Sequence, residues 1–222
     1  MSTALPVDWK PWRSATPLGN QRPTKTDLAD SLHSGLGRED VLPFPTDEQC
    51  ADTLRILIVG INPSPWTAAV NAPFARPGNR FWRSLATAGI TPHTVDASRG
   101  LSNDDERMLA ELGLGITNLV TKPTARADEL TADELRAGGS HLVERVAVLQ
   151  PRVVAILGIT AFRTAFSMPH ASLGPQSTET FAGWPPNTQL WAMPNPSGLN
   201  AHESIQTLAE KWTAVWDASS TP

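Results

Sequence analysis

Tyrosine is absent from this chain, and cysteine occurs once, at Cys50. One cysteine cannot close a disulfide within the chain, nor can it furnish the thiolate cage of a structural zinc or an iron–sulfur cluster. The five histidines are scattered without ligand spacing, so no metal site and no cofactor is expected. No apolar run approaches the ~20 residues that cross a bilayer. The first residues, MSTALPVDWKPWRS, lack the apolar stretch of a secretory signal. The expectation is a soluble chain in a reducing, cytoplasmic compartment with no membrane partner. Basic residues are outnumbered, 18 Lys and Arg against 22 Asp and Glu, for a net charge of -4. Binding to phosphate would therefore need a local basic face. Three familiar loops are also missing. There is no Gly-x-Gly-x-x-Gly turn, no Gly-x-x-x-x-Gly-Lys loop and no serine in a nucleophile elbow, which removes the main support for dinucleotide, nucleoside-triphosphate and serine-hydrolase chemistry.

What remains is a chain of 222 residues, 40% hydrophobic, enough for one core. Residues 1–25 are Pro-rich, with Trp9 and Trp12 between prolines, and read as a tail. Residues 26–222 read as one domain, with a short helix expected near Asp27–Leu32. Ile56–Val59 and Val153–Leu157 are continuous apolar runs, each closed by glycine. Such runs suit strands buried on both faces of a parallel sheet. Gly115–Val120 and Leu190–Met193 are shorter candidates. Helical patterns lie between them. Asn79 can cap a helix carrying Phe81, Trp82, Leu85 and Ala88. Thr131 and Glu134 form a capping box before Leu135, Leu142, Val146 and Leu149, although Gly138-Gly139 interrupts that stripe unless a strand passes close by. A last helix carries Ile205, Leu208, Trp212 and Val215. Strands alternating with helices predict an α/β fold, a mostly parallel sheet of about four strands with helices on both faces.

Two of the apolar runs end alike: RILIVGINPSPW and QLWAMPNPSGL each close on Asn-Pro-Ser. Proline pushes the residue before it out of the helical region and holds it extended, so Asn62 and Asn195 are held at strand tips. In parallel sheets ligands bind beyond the C-terminal strand ends, which puts both asparagines on one rim. A turn is the plainer explanation for either site alone; two on one rim raise the weight of a binding site. No carboxylate lies between Arg55 and Gly89. A pocket of Asn amides, backbone N–H groups and rings suits a planar neutral base with carbonyl and imide edges. Arg76, Arg80 and Arg83, with Lys122 and Arg126, could form a basic rim over it. The setting of Phe74, Ala-Pro-Phe-Ala-Arg-Pro, is loop-like and fits a pocket wall.

At these residues a resemblance enters. GINPSPWTAAVNAPFARPGNRFW resembles the first motif of the mismatch-specific uracil-DNA glycosylases, the branch that includes the thymine-DNA glycosylases. MPNPSGLNAH resembles their second motif, and GITNLVTKPTARADELTADELRAGG and PRVVAILG resemble the pattern between. The likeness spans roughly residues 54–216. It implies the glycosylase three-layer sandwich and hydrolysis of the base–sugar bond of a flipped uracil, best opposite guanine, in double-stranded DNA; a monomer is expected. By resemblance, Asn62 positions the attacking water and Asn195 opens the second motif of the catalytic pair. Ile61, Thr67, Phe74 and Asn118 line the base site, Phe74 stacking on the base. Gly198, Leu199 and Asn200 form the wedge that fills the vacated stack and meets the widowed guanine. Ser64 stands where members often have Gly, and Ala201 where some have Arg. Two other readings keep the same pocket: a lesion-binding relative with little catalysis, and a hydrolase of free nucleosides.

Overall fold

The computed structural model describes residues 15–33, 40–42 and 54–220. Cys50, Trp9 and Trp12 lie outside them, as does most of the expected tail. Helix α1 (Lys25–Asp30) starts where Thr24 caps it through a reciprocal bond with Asp27. The order then runs β1 (Ile56–Gly60), α2 (Pro65–Val70), α3 (Phe81–Thr87), α4 (Asn103–Glu111), β2 (Leu114–Asn118), α5 (Ala132–Leu149), β3 (Val153–Leu157), α6 (Ile159–Ala165), β4 (Gly174–Gln176), β5 (Gln189–Met193) and α7 (Ile205–Ala218).

The sheet has five strands, ordered β2-β1-β3-β5-β4. Four are parallel. The fifth, β4, is antiparallel to β5 and only three residues long. Its Gly-Pro-Gln composition carries no apolar run, which is why the expected sheet had four strands; a proline is tolerated there because β4 is an edge. Along the buried strands alternate side chains feed two cores. Leu57, Val59, Val154 and Ile156 meet Leu142, Val146 and Leu149 of α5 and Phe162 of α6. Ile56, Ile58, Val153 and Ala155 meet Phe81 and Leu85 of α3 and Trp212 and Val215 of α7. The result is helices on both faces of one sheet. Each such aliphatic side chain removed from water stabilises the fold by ~1.5–3 kcal/mol.

The glycine pair in α5 is explained by what passes beside it. A methyl on Gly138 would sit 2.3 Å from the Leu119 carbonyl oxygen, just beyond β2, and one on Gly139 2.6 Å from that of Ala165. Helix α5 therefore lies closer to the end of β2 and to the end of α6 than any side chain permits. Chain order places the switch point between β1 and β3: the chain leaves β1 toward β2, and leaves β3 toward β5. The rule that crevices open where successive connections diverge puts the site beyond those two strand ends.

Candidate active site

A cavity of about 430 Å³ opens at that point, bounded by Gly60 to Ser64, Asn118, Leu157 and Asn195 to Ser197. Both Asn-Pro-Ser segments, and the tip of β2, converge on it as the sequence predicts. Ile61, Asn62, Thr67, Phe74, Asn118, Asn195, Leu199 and Asn200 all line it. Gly198 is in the same loop and packs against the backbone at Gly78.

Asn62 is held by its amide nitrogen. Nδ2 donates to the Lys122 carbonyl at 2.9 Å and to Thr124 Oγ1 at 2.7 Å. Thr124 is buried and its hydroxyl donates onward to the Arg126 carbonyl at 2.7 Å, so it can only accept from Asn62. Both amide hydrogens are engaged, which leaves Oδ1 as the acceptor the residue can offer a ligand or a water. Asn195 is used differently. Its Oδ1 accepts the Ser197 N–H at 2.9 Å in a local turn, and its carbonyl accepts Asn200 Nδ2 at 3.0 Å. Asn200 Oδ1 in turn accepts the His202 N–H at 3.2 Å. The amides of Asn195 and Asn200 therefore shape the loop that carries Leu199.

Asn118 ends β2 beside Gly60. A methyl on Gly60 would lie 2.5 Å from Asn118 Oδ1 and 3.4 Å from the Phe74 ring, so the absent side chain makes room for both. Phe74 stands at φ +54°, in the left-handed region that costs a bulky residue, and stacks on Phe81 with centroids 3.9 Å apart. That strain is held by the packing of Phe81 and by prolines on the same loop. Neither the Ile61 nor the Phe74 N–H has a hydrogen-bond partner among the described residues. Ser64 caps α2, its Oγ accepting the Thr67 N–H at 3.2 Å and its hydroxyl donating to Thr67 Oγ1 at 3.3 Å. A serine at this position thus fixes Thr67 at the pocket wall. Leu199 is 79% exposed, the most exposed large apolar side chain among the described residues. Ala201 is exposed beyond it.

Two expectations need correcting. The pocket is not lined by neutral groups alone, because the segment after β2 brings Arg126 and Asp128 to its edge, ion-paired at 2.5 Å. The Arg126 hydrogen bond holds the Asp128 carboxyl below the usual carboxylate range. The basic rim is also thinner than the sequence suggested. Lys122 pairs with Glu134 at 2.8 Å, and Arg80 turns inward to backbone carbonyls. Arg76 and Arg83 stay exposed without an acidic partner among the described residues. Sequence reasoning also missed Thr124, and it read Asn79 only as a helix cap. Asn79 lines the cavity and its Oδ1 accepts the Phe81 N–H at 2.9 Å, but the cap position of α3 falls one residue later, at Arg80, whose side chain makes no capping bond. Thr124 had a signal: it follows a proline on the same rim as the two Asn-Pro pairs.

The site therefore offers one fixed amide oxygen, a stacked ring, a projecting leucine, and an Asn118 amide and backbone donors that have no partner among the described residues. In comparison with known proteins, the family model for the Uracil DNA glycosylase superfamily matches residues 48–218.

Proposed function

The chain belongs to the uracil DNA glycosylase superfamily, and from that premise we propose that it removes uracil from double-stranded DNA, preferentially from G·U mismatches, as a monofunctional hydrolase that flips its target base. The observation that carries this reading is the Asn62 amide on the cavity wall, fixed through both N–H groups, with its oxygen holding no hydrogen bond among the described residues. An amide cannot take a proton from water, so its role is to orient one. The water oxygen bonds to C1′ of the sugar as the C1′–N1 bond breaks. The bonding pair leaves with the base, and the water proton passes to the departing base or to solvent. The transition state is a cationic sugar beside an anionic base. Backbone N–H groups at Ile61 and Phe74 stabilise that anion as preorganised donors do in an oxyanion hole. Phe74 stacks on the base face and the Asn118 amide reads its edge. Leu199 enters the stack that the base vacates, which offsets part of the few kcal/mol that unstacking costs. The two exposed arginines meet the phosphates.

One assay separates this reading from its rivals. A G·U duplex, single-stranded uracil DNA and free deoxyuridine are each incubated with the protein, and the DNA is then treated with alkali. Strand scission, fastest in the duplex, supports the proposal. Release of base from deoxyuridine would make the chain a nucleoside hydrolase, and binding without scission would make it a lesion-recognising relative.

A further inference from the structure

Arg80 lies between the base site and the leucine loop, and its guanidinium makes all of its described hydrogen bonds to carbonyl oxygens of one segment. Nη1 donates to Glu203 O, Nη2 to Ser197 O and to Asn200 O at 2.9 Å, and Nε to Pro196 O at 3.5 Å. The Arg80 backbone N–H also donates to Pro196 O, at 3.0 Å. Glu203 offers only its carbonyl, since its carboxylate pairs with Lys211 at 3.1 Å. Four carbonyls converging on one point repel each other unless a donor sits at the focus. A planar guanidinium with five fixed donors is the side chain that can serve four at once.

We infer that Arg80 is a positioning residue that holds the 195–203 loop in the shape that presents Leu199 to the DNA stack. This rests on the proposed reading of that loop as a wedge. Two further observations point the same way. Gly198 approaches Gly78 so closely that a methyl on it would lie 2.8 Å from the Gly78 carbonyl oxygen, so the loop is mounted on the segment before α3 by shape as well as by charge. Both chain neighbours of Arg80 are connected to the base site. Asn79 lines the cavity, and Phe81 is the ring on which Phe74 stacks at 3.9 Å. Three consecutive residues thus tie the seat of the flipped base to the mount of the wedge. Filling the stack and seating the base become one rigid event.

The test uses the full chain and four proteins: wild type, Arg80→Gln, Leu199→Ala and the double variant. Single-turnover base release is measured on a G·U duplex and on single-stranded uracil DNA, with thermal melting alongside. Arg80→Gln is expected to slow the duplex reaction at least about 10-fold more than the single-strand reaction, because only the duplex needs the wedge. In the Leu199→Ala background the same change should add little, because both act through one insertion step. Arg80→Lys should recover part of the loss, since an ammonium reaches fewer carbonyls; it carries the comparison alone if Arg80→Gln melts below the assay temperature. A second readout avoids chemistry: 2-aminopurine beside a non-hydrolysable 2′-fluoroarabino-uridine brightens when the stack opens, and Arg80→Gln should reduce that signal. Equal slowing on both substrates, full additivity with Leu199→Ala, or an unchanged 2-aminopurine signal overturns the assignment. A wild type that releases no base sinks the functional reading instead, and Arg80 is then judged on 2-aminopurine alone.

Discussion

Asn62 and Asn195 share a side chain, a following proline and a place on one rim, yet their amides are oriented for opposite tasks. The loop after β2 takes both hydrogens of Asn62, a cavity-lining residue, and leaves its oxygen as the acceptor the side chain can offer. The loop after β5 takes the oxygen of Asn195 to make a turn. Asn62→Ala should therefore lower single-turnover base release by on the order of 10²-fold or more, the scale for losing a positioned polar group, while duplex binding survives. A near-normal rate would remove Asn62 from the reaction. The same geometry sets the pH profile. Asn62 does not titrate. The one carboxylate on the cavity edge among the described residues, Asp128, is held below its usual range by Arg126, so it is ionised across the window and loses charge only in acid. Base release should be flat between about pH 5.5 and 8; an inflection there would reveal a general base. Thr67 belongs to this scale too. It is buried at the pocket wall and tied by its hydroxyl to Ser64, so its β-branched side chain cannot swing aside. One methyl separates thymine from uracil, worth ~1–3 kcal/mol in a fitted pocket. G·U should outrun G·T by at least ~10-fold, and Thr67→Ala should narrow that ratio. An unchanged ratio would move the discrimination elsewhere.

Helix α5 shows how an element can break a local rule for a reason of placement. An interior glycine costs ~1 kcal/mol of helix stability relative to alanine, and α5 carries two in a row. Gly138→Ala would improve the helix by that measure, but its methyl would meet the Leu119 carbonyl at 2.3 Å. Overpacking against backbone costs ~1–3 kcal/mol, so net destabilisation is expected. The push falls on the segment leading from β2 to Lys122 and Thr124, the clamp of Asn62. Chemical denaturation should show a lower midpoint, and base release should fall further than stability explains; a raised midpoint would mean the approach is looser than the structure has it. The same helix marks how far the sequence could be read. The strong signals were periodic or chemical: the apolar runs of β1 and β3, the Thr131 capping box, and two Asn-Pro pairs. They placed four strands and most of the cavity wall. Helix α2 escaped notice because six residues with a leading proline and no charge resemble a loop. Strand β4 escaped because its pairing is borrowed from β5 and leaves no pattern of its own. The Thr124 clamp and the Arg80 mount were illegible for a deeper reason. Each joins segments far apart in the chain, 62 and 116 to 123 residues, and only folding fixes which carbonyls converge.

At the scale of the whole molecule, the difficulty is an acidic chain that must approach a polyanion. The net charge is -4, and several cations are also tied up in local pairs: Arg107 with Asp104, Lys122 with Glu134, Arg126 with Asp128, Arg136 with Asp133. Each exposed pair contributes little to stability, yet each also removes a cation from the pool that could release counterions. Arg80, which the sequence counted toward a basic face, points into the wedge loop. Of the five cations expected to form a basic rim, that leaves Arg76 at the cavity edge and Arg83 in the first turn of α3 as the exposed ones without an acidic partner among the described residues. Binding should then depend only weakly on salt. A plot of log K against log salt concentration for a G·U duplex is expected to have a slope no steeper than about −4, since each phosphate contact contributes about −0.9. Arg76→Gln and Arg83→Gln should each flatten it by about one, equally for mismatched and matched duplexes, because a phosphate contact carries no sequence information. Isothermal or fluorescence titrations across a salt series decide it. A slope beyond about −6, unchanged in both variants, would show that the DNA-facing charge lies on residues other than these two.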